Sequence, residues 1–444
     1  MADEIEGHGP AADGLQEHVA LPRRYVAAAT IGNALEFYDF VTYAFFAIQI
    51  GHAFFPSHTA YGSLMLSLAT FGAGFITRPI GGLVIGAYAD RAGRKPAMVL
   101  TFTMMGTAIV VLALIPSYSA IGIAAPILAV LARMVQGFSL GGEVGPTTAY
   151  LLEAAPVRGR GLAVSWQGAS QGIAAGLGGL VGVGLSSVMA PGALDAYGWR
   201  IAFLLGAITL PFGLWIRRSL PETLHAPDTT IAAPRAHAGL DALRENFRII
   251  ALALVVLASG TIGTYVFNYM TTFAQNTLHL PPTIAFLATT IGQVVTVASV
   301  LYGGWLSDRI GRRPVMIWSN LVYLVLILPV FFWIVETRSA LALVVGLSSL
   351  GIAGALKGGA FFVAVAETLP KRIRGTAFAT IYASSIALFG GTTQLVITWL
   401  IQVTGNPMAP AWYLVAATLI GQTALMLILE SAPAKTSLAP ALAR

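Results

Sequence analysis

The sequence predicts an all-α membrane protein with twelve transmembrane helices arranged as two six-helix repeats. Three observations predict this fold. Hydrophobic residues make up 56% of the 444 residues and charged residues only 10%. Apolar runs of membrane-spanning length recur along the chain, and two short charged motifs each occur twice. Because a soluble domain carries about 25% charged residues, most of this surface is expected to face lipid.

Twelve apolar runs are long enough to cross a bilayer, which takes about 20 residues per helix. We number these spans one to twelve in chain order: 24–50, 62–88, 97–115, 121–151, 161–189, 199–218, 249–274, 284–306, 314–334, 340–366, 376–402 and 411–430. A polar segment with three prolines separates span six from span seven. The predicted domains are therefore a tail (1–22), a six-helix bundle (23–218), a linker (219–247), a second six-helix bundle (248–430) and a tail (431–444).

The basic residues predict the orientation of the spans. Of the 25 lysines and arginines, 20 fall in the tails, in the linker or in connections that follow even-numbered spans. Because positively charged loops stay in the cytoplasm, both termini and the linker are predicted to be cytoplasmic, in an inner or plasma membrane. The same placement explains the net charge of +6 without a nucleic-acid partner, since no basic cluster belongs to a separate folded domain.

Two charged motifs occur once in each half. Residues 89–96, "ADRAGRKP", are nearly repeated at 307–314 as "SDRIGRRP". Residues 153–161, "EAAPVRGRG", are repeated at 367–375 as "ETLPKRIRG", an offset of 214 residues (367 − 153). The first motif follows the second span of each half, and the second motif follows the fourth. Such parallel repeats are typical of transporters whose halves rock about a site at the middle of the membrane.

The repeated motifs predict a gate at the cytoplasmic face. An Asp flanked by Arg at a helix end can cap a neighbouring helix and pair with charges across this face. A role in membrane topology alone is the alternative, but it does not account for the aspartates, the glycine turns or the duplication. The predicted gate residues are Asp90, Arg91, Gly93, Arg94, Glu153, Arg160, Asp308, Arg309, Gly311, Arg312, Glu367 and Arg374.

Several motifs resemble those of the major facilitator superfamily. Its cytoplasmic loop signature is similar to residues 82–95, "GLVIGAYADRAGRK", and its span-four motif is similar to residues 133–143, "RMVQGFSLGGE". The metabolite:proton symporter family within it resembles the chain at "GNALEFYDF", "FGAGFITRPIGG" and "FGGTTQLVITWLI". The citrate–proton symporter branch is most similar at "SWQGASQ". The resemblance covers nearly all of residues 24–430 and implies transport driven by protons, with no other cofactor.

Charged residues inside the predicted spans are Glu36, Asp39, Arg78, Arg133, Glu143 and Lys357. A charge at the bilayer centre costs about 2.5–3.5 kcal/mol on insertion scales, so these residues are expected to face the interior and to have a function. Asp39 resembles the proton-coupling Asp of related sugar symporters, and Arg133 resembles its span-four partner. The resemblance therefore implies Asp39 as the proton carrier, Arg133 as its partner and Glu36, on the same helix face, as a second site or modulator. A purely structural ion pair is the alternative.

The predicted substrate site combines charged and neutral polar residues. Arg133 and Glu143 belong to one polar stripe along span four. Arg78 and Lys357 add positive charge, which favours an anionic substrate, although a Lys in this place is not part of the citrate-branch pattern. The neutral candidates are Gln167, Gln171, Tyr265 and Asn268. Such amides and hydroxyls are equally consistent with substrate contacts and with hydrogen bonds between helices.

The sequence therefore predicts a proton-coupled symporter that brings an organic acid, a citrate-like di- or tricarboxylate, into the cell by alternating access. It is expected to be a monomer whose partners are this small molecule and the lipid bilayer. Symport of betaine, proline or a shikimate-like acid is one alternative, and a membrane sensor or scaffold without transport is another. The seven histidines form no metal-ligand pair at helical spacing. Neither a phosphate-binding loop nor a Ser-His-Asp arrangement is evident, so no enzyme activity is predicted.

Overall fold

The computed structural model describes residues 23–92, 94–141, 151–152, 155–156, 159–190, 192–208, 211, 247–368, 374–428 and 430–431. Helices occupy almost all of these residues, and no strand is present among them. In the first half the helices are Arg23–Phe45 and Ala47–Phe54 (span one and its extension), Ala60–Ile76 and Arg78–Ala92 (two), Arg94–Leu114 (three), Ala124–Leu140 (four), Arg160–Val188 (five) and Trp199–Ile208 (six). In the second half they are Phe247–Asn276 (seven), Pro282–Ile310 (eight), Arg312–Thr337 (nine), Ala340–Thr368 (ten), Arg374–Ser385 and Gly391–Thr404 (eleven) and Ala409–Leu427 (twelve).

The described helices overlap all twelve predicted spans. Eight candidate membrane helices are found among the described residues by length and composition, and two shorter apolar helices occupy spans three and four. Two π-helical turns, Leu194–Gly198 and Ile386–Gly390, precede span six and interrupt span eleven. The tail 1–22, residues 219–246 of the linker and residues 432–444 lie outside the described part. The domain boundaries therefore stay predictions.

Span two, predicted as one continuous helix, is broken at Thr77, two residues before Pro79. The break follows from the proline, which has no N–H for the helical ladder and crowds the preceding turn. The Thr77 hydroxyl donates to the carbonyl of Met134 on span four at 2.7 Å, and Gly81 N–H donates to the Thr77 carbonyl at 2.8 Å. Backbone groups at the break are thus satisfied within the protein, as a membrane environment requires. Arg78 becomes the first residue of the next helix.

Spans two and four approach each other closely through glycines. A Cβ atom on Gly137 would overlap the carbonyl oxygen of Gly74, and one on Gly81 would overlap the carbonyl oxygen of Phe138. Small residues at helix contacts allow this approach in membrane proteins. The contact fixes the backbone positions from which Arg78 and Arg133 reach the interior.

Spans five and eight form a long contact between the two halves. Gly161 and Ser165 of span five pack on Gly304 of span eight at one end. At the other end, Gly182 packs on the ring of Phe286. Spans two and eleven also meet, where glycines of the two helices lie against each other. These contacts bring side chains from both halves to the same interior region.

Candidate functional site

Asp39 of span one and Arg133 of span four lie together in the interior. Their side chains are 1% and 0% exposed, and Nη1 of Arg133 lies 3.9 Å from Oδ2 of Asp39. The same nitrogen donates to Oε1 of Gln136 on span four at 2.6 Å. Neither carboxylate oxygen of Asp39 has a hydrogen-bond partner among the described residues. Both oxygens therefore remain free to accept a proton or a hydrogen bond.

Aromatic rings of spans one and two surround two buried guanidiniums. Cζ of Arg133 lies 4.5 Å from the ring centroid of Tyr43 and 4.7 Å from that of Phe40. Cζ of Arg78 lies 4.5 Å from Phe40 and 4.4 Å from Phe75. Phe40 thus contacts both cations. Because a desolvated cation–π contact contributes about 2 kcal/mol or more, the rings stabilise the buried charges.

The two arginines keep several donors without partners. Within the described part of the chain, Nε and Nη2 of Arg78 and the same two atoms of Arg133 form no hydrogen bond, and neither does Nε2 of Gln136. Buried polar groups are almost always hydrogen-bonded, so this set of unpaired donors indicates a place for an anionic ligand. A guanidinium fits a carboxylate in bidentate geometry. The cluster is therefore suited to bind carboxylates.

Tyr265 of span seven extends the cluster into the second half. Its ring centroid lies 5.5 Å from that of Phe75 and 6.1 Å from that of Phe71. Tyr265 is a hydrogen-bond neighbour of Arg78, and Tyr382 of span eleven also lies near this guanidinium. The Tyr382 hydroxyl also has the predicted site residue Gln171 of span five as its hydrogen-bond neighbour. Side chains of both halves thus meet at Arg78.

The predicted site residues Gln167 and Asn268 bind neighbouring helices. Nε2 of Gln167 donates to Oδ1 of Asn33 at 3.2 Å, and Nδ2 of Asn33 donates to Oγ of Ser170 at 2.6 Å. Nε2 of Gln293 donates to Oδ1 of Asn268 at 3.2 Å. These bonds join span one to span five and span seven to span eight. The contacts observed for Gln167 and Asn268 are therefore hydrogen bonds between helices, which was the alternative to substrate contacts.

Lys357 of span ten has its polar contact away from the two arginines. Nζ donates to Oδ1 of Asn320 on span nine at 2.8 Å and lies 6.0 Å from the ring centroid of Tyr323. The side chain is 7% exposed. Both observed partners, Asn320 and Tyr323, belong to span nine of the second half. None of these polar contacts involves Arg78 or Arg133, so the substrate-binding role of Lys357 stays a prediction.

The predicted gate of the second half joins the two halves through Asp308. Its carboxylate accepts hydrogen bonds from the backbone N–H groups of Gly161 at 2.9 Å and Leu162 at 3.0 Å. These groups lie in the first turn of span five, where unpaired amides and the helix dipole favour a negative charge. Nη1 of Arg312 donates to the same carboxylate at 2.6 Å. Asp308 thus caps a helix of the first half from the second.

Arg312 connects this cap to two further carboxylates. Its Nη2 lies 3.2 Å from Oε1 of Glu367, a predicted gate residue. Its backbone N–H donates to Oε1 of Glu430 at 2.9 Å. Gly311, with φ of +106°, turns the chain into span nine, a conformation that a glycine adopts readily. Arg309 differs from the prediction, because its guanidinium lies 4.0 Å from the ring of Trp305 instead of in this charge network.

Other predicted gate and site residues fall outside the described atoms. Gly93, Glu143 and Glu153 lie outside the described residues, and so do the side chains of Glu36, Asp90, Arg94 and Arg374. Arg91 is exposed. Arg160 opens span five, and its Nε has no partner among the described residues. The first-half copy of the gate therefore stays a prediction.

Four contributing residues were missed by sequence analysis. The rings of Phe40 and Tyr43 follow Asp39 closely, but a ring beside a buried cation has the same sequence signature as a ring in the core. Asn320 is a single amide in the apolar run of span nine, and that contrast was a usable signal. Glu430 lies at the very end of predicted span twelve and 118 residues from Arg312, so no local pattern indicated its contact.

Comparison with known proteins identifies the family. A family model of the Major Facilitator Superfamily matches residues 29–301 and 252–443. The citrate-proton symporter of Salmonella typhi is 34% identical over 410 residues, covering 91% of this chain and 93% of the relative. That of Klebsiella pneumoniae is 35% identical over 401 residues, covering 89% of each chain. A putative proline/betaine transporter of Staphylococcus aureus is 32% identical over 420 residues, covering 90% of this chain and 86% of the relative.

Solved structures share the fold. The crystal structure of a D-xylose-proton symporter has a TM-score of 0.71 at 18% identity, covering 92% of this chain and 97% of that chain. The xylose transporter XylE from E. coli, in a partially occluded inward open conformation, has a TM-score of 0.73 at 16% identity, covering 91% and 97%. These similarities confirm the predicted twelve-helix fold. The chain is a multi-pass membrane protein that belongs to the Major Facilitator Superfamily.

Proposed function

We propose that the protein is a secondary transporter that carries an organic acid, a citrate-like di- or tricarboxylate, into the cell together with protons. The observation that carries this proposal is the open Asp39–Arg133 pair, which lies beside unpaired arginine donors in a buried aromatic cluster. This arrangement places a proton acceptor, Asp39, next to donors that can bind a substrate carboxylate. Symport of an acid needs both groups in one place, and the citrate-proton symporters among the relatives support this substrate class.

Protonation of Asp39 couples the proton to the substrate. A neutral Asp39 no longer attracts Arg133, so the guanidinium turns its free donors to a substrate carboxylate while it stays on the Tyr43 ring. Arg78, on the other side of Phe40, offers a second fork for another carboxylate. The bound acid balances the two positive charges. The loaded carrier and the empty, ion-paired carrier are then the two forms that change between the outward-facing and the inward-facing conformation.

The Asp308 cluster closes the predicted cytoplasmic side during this cycle. Its bonds to Gly161 and Leu162 exist only while spans five and eight are in contact at that end. Rocking of the halves breaks them, which is the alternating access that parallel repeats support. The matching motif of the first half is proposed to act in the same way. Both termini are cytoplasmic in this proposal, the membrane is the inner or plasma membrane, and the monomer is the transporting unit.

A proton-coupled carrier of proline or betaine is the second candidate, because a relative at 32% identity is a putative proline/betaine transporter. A betaine cation needs an aromatic cage or a carboxylate. The described rings Phe40, Tyr43 and Phe75 already contact guanidiniums. Positive charge in this cluster therefore favours an acid over a zwitterion. No protein or nucleic-acid partner and no coupling ion besides the proton is proposed.

Uptake of labelled citrate into proteoliposomes, with and without an inward proton gradient, tests the proposal. Unlabelled tricarboxylates, succinate, shikimate, betaine and proline serve as competitors. Gradient-driven citrate uptake that tricarboxylates block is the expected result. Gradient-driven uptake of betaine or proline, with citrate inert, moves the substrate to the second candidate. If no solute responds to the proton gradient, symport itself is contradicted.

A further inference from the structure

Lys357 belongs to a buried polar cluster inside the second half. Its neighbours are Asn320 and Tyr323 of span nine and Thr418 and Gln422 of span twelve. The exposed fractions of all five side chains are 7% or less. No carboxylate of the described residues lies within ion-pair distance of Lys357. Within the described part of the chain, the cluster therefore contains an amine without a counter-ion.

In this cluster the hydrogen bonds are donated in sequence from Lys357 to Asn320 and from Asn320 to Gln422. Nζ of Lys357 donates to Oδ1 of Asn320 at 2.8 Å, and Nδ2 of Asn320 donates to Oε1 of Gln422 at 2.7 Å. Nε2 of Gln422 and the hydroxyl of Thr418 have no partner among the described residues. An ammonium has three donors and no acceptor. With Lys357 charged, the cluster therefore has more donors than acceptors.

The same atom positions suit a neutral Lys357. A half-turn of an amide exchanges its oxygen and nitrogen and leaves both sites occupied. After a half-turn of both amides, Nδ2 of Asn320 donates to the lone pair of the Lys357 amine, and Nε2 of Gln422 donates to Oδ1 of Asn320. The rotation gives up the long contact of 3.4 Å from Asn320 to the Thr418 carbonyl, and it moves Oε1 of Gln422 to the position that has no partner among the described residues. Nε2 of Gln422 gains an acceptor in exchange.

The internal repeat relates Lys357 to another ionisable residue. Lys357 follows Glu143 by 214 residues, the offset that relates the second pair of repeated motifs. The fourth span of each half thus carries one ionisable side chain at the same place in the repeat. Glu143 lies outside the described residues, so this relation rests on the sequence alone. It is independent of the hydrogen bonds around Lys357.

We propose that Lys357 is a second proton-binding site of the transport cycle, with Asn320 and Gln422 as an amide relay that serves both protonation states. The proton comes from water on the open side, where hydronium gives it to the amine lone pair, and it returns to water when the site opens on the other side. This inference rests on the proposed proton symport.

Most of the described groups around Lys357 do not titrate, so they cannot take up the proton in its place. Span nine contributes the neutral amide of Asn320 and the hydroxyl of Tyr323, and span twelve contributes neutral groups alone. Span eight packs against this part of span ten through backbone at Gly303 and Val300, and span seven lies beyond Tyr323 at Gly263. Among these described neighbours, Tyr323 is the one titratable group. Lys357 is therefore the proton acceptor of the cluster.

Nuclear magnetic resonance of the whole protein tests proton binding without any substrate. The chain has four lysines, Lys95, Lys357, Lys371 and Lys435, so labelling with 13C,15N-lysine gives few Cε–Nζ signals. Lys357→Met identifies the signal of interest by its loss, and Lys371→Met is the matched control that removes a different one. The Lys357 signal is expected to move between ammonium and amine positions across the pH range of uptake, while the others stay ammonium. A Lys357 signal that stays ammonium throughout, or amine throughout, overturns the proposal.

The proton-to-substrate ratio tests the role in transport. It is read from the substrate gradient that stops net flux at a fixed proton gradient. Lys357→Met, which has no titratable group, is expected to lower the ratio by one proton per substrate. An unchanged ratio contradicts the proposal, and if the variant does not transport, the titration decides. Wild-type protein that shows the titration but no proton-driven uptake of any solute contradicts the proposed symport and leaves the proton site intact.

Discussion

The guanidinium of Arg133 lies 3.9 Å from the carboxylate of Asp39, while Gln136 holds the same nitrogen at 2.6 Å. The distance is too long for a hydrogen bond. Arg133 therefore has a better partner on its own helix than on span one, and aromatic rings supply much of its stabilisation. When this pair separates, Arg133 keeps its contacts with Gln136 and the aromatic rings. Arg133 can therefore exchange Asp39 for a substrate carboxylate when Asp39 takes up a proton.

Substitution of Arg78 tests the second carboxylate fork. Arg78→Gln is expected to raise the KM for the transported acid by about 10-fold or more, because a hydrogen bond to a charged group contributes about 1.5–3 kcal/mol. Concentration-dependent uptake into proteoliposomes measures the change. Arg338→Gln, at the exposed end of span nine, is the matched control. An unchanged KM in Arg78→Gln removes Arg78 from the site.

Substitution of Gly137 tests the contact that positions both arginines. Gly137→Ala is expected to lower the melting temperature, because the new Cβ overlaps the Gly74 carbonyl and overpacking costs about 1–3 kcal/mol. Thermal unfolding in detergent measures this effect. Gly86→Ala, in the same pair of spans but with nothing within 4 Å of the new Cβ, provides the control. Equal melting temperatures for the two variants contradict the close contact.

Removal of the charge of Asp308 tests the gate between spans five and eight. Because the chain has no cysteine, a single Ser165→Cys reporter on the packed face of span five can be alkylated selectively. Asp308→Asn weakens the charge-assisted bonds to Gly161 and Leu162. Loss of about 1.5 kcal/mol raises the population of the open state, and the labelling rate, roughly 10-fold. Asp195→Asn in the same reporter background is the control, and an unchanged rate in Asp308→Asn contradicts the gate.

The sequence singled out central residues of both the gate and the carboxylate cluster. The duplication of the Asp–Arg motif singled out Asp308 and Arg312, and the membrane cost of charge singled out Asp39, Arg78 and Arg133. Each of these signals is local and rare in an apolar chain.

Other contacts were beyond sequence reasoning because their partners are neither local nor distinctive. The rings of Phe40 and Tyr43 look like ordinary core residues until the cations beside them are seen. Gln167 and Asn268 gave the pattern of an inward polar face, but the same pattern arises when the amide binds the next helix. The helix that the Lys357 side chain contacts depends on how span ten is rotated about its axis relative to span nine. No local sequence pattern determines this rotation.

A pair outside the predicted spans gives a pH dependence of stability. Nδ1 of His52, two residues beyond span one, lies 3.8 Å from Oδ2 of Asp195 in the turn before span six. Electrostatic attraction from Asp195 raises the pKa of His52, and the same attraction from His52 lowers the pKa of Asp195. The stabilisation from His52 is full below its unfolded pKa of about 6.5 and is lost as pH rises through its raised folded pKa. That from Asp195 is full above about 3.9 and is lost as pH falls through its lowered folded pKa.

The melting-temperature difference between the wild type and Asp195→Asn is therefore expected to be largest between about pH 4 and pH 6.5. It should shrink on both sides of this window. Because both side chains are about half exposed, the difference is small and falls further with added salt. A difference that is constant with pH shows that the pair does not form.

Asp39→Asn in proteoliposomes measures most directly whether Asp39 carries the coupled proton. Asn keeps the size of the side chain and cannot take a proton in this range. Accumulation of substrate under an inward proton gradient is expected to fall to the level seen without a gradient, whereas exchange of internal for external substrate continues. Asp195→Asn controls for the loss of a carboxylate elsewhere. Gradient-driven accumulation that persists in Asp39→Asn at the wild-type level contradicts the role of Asp39.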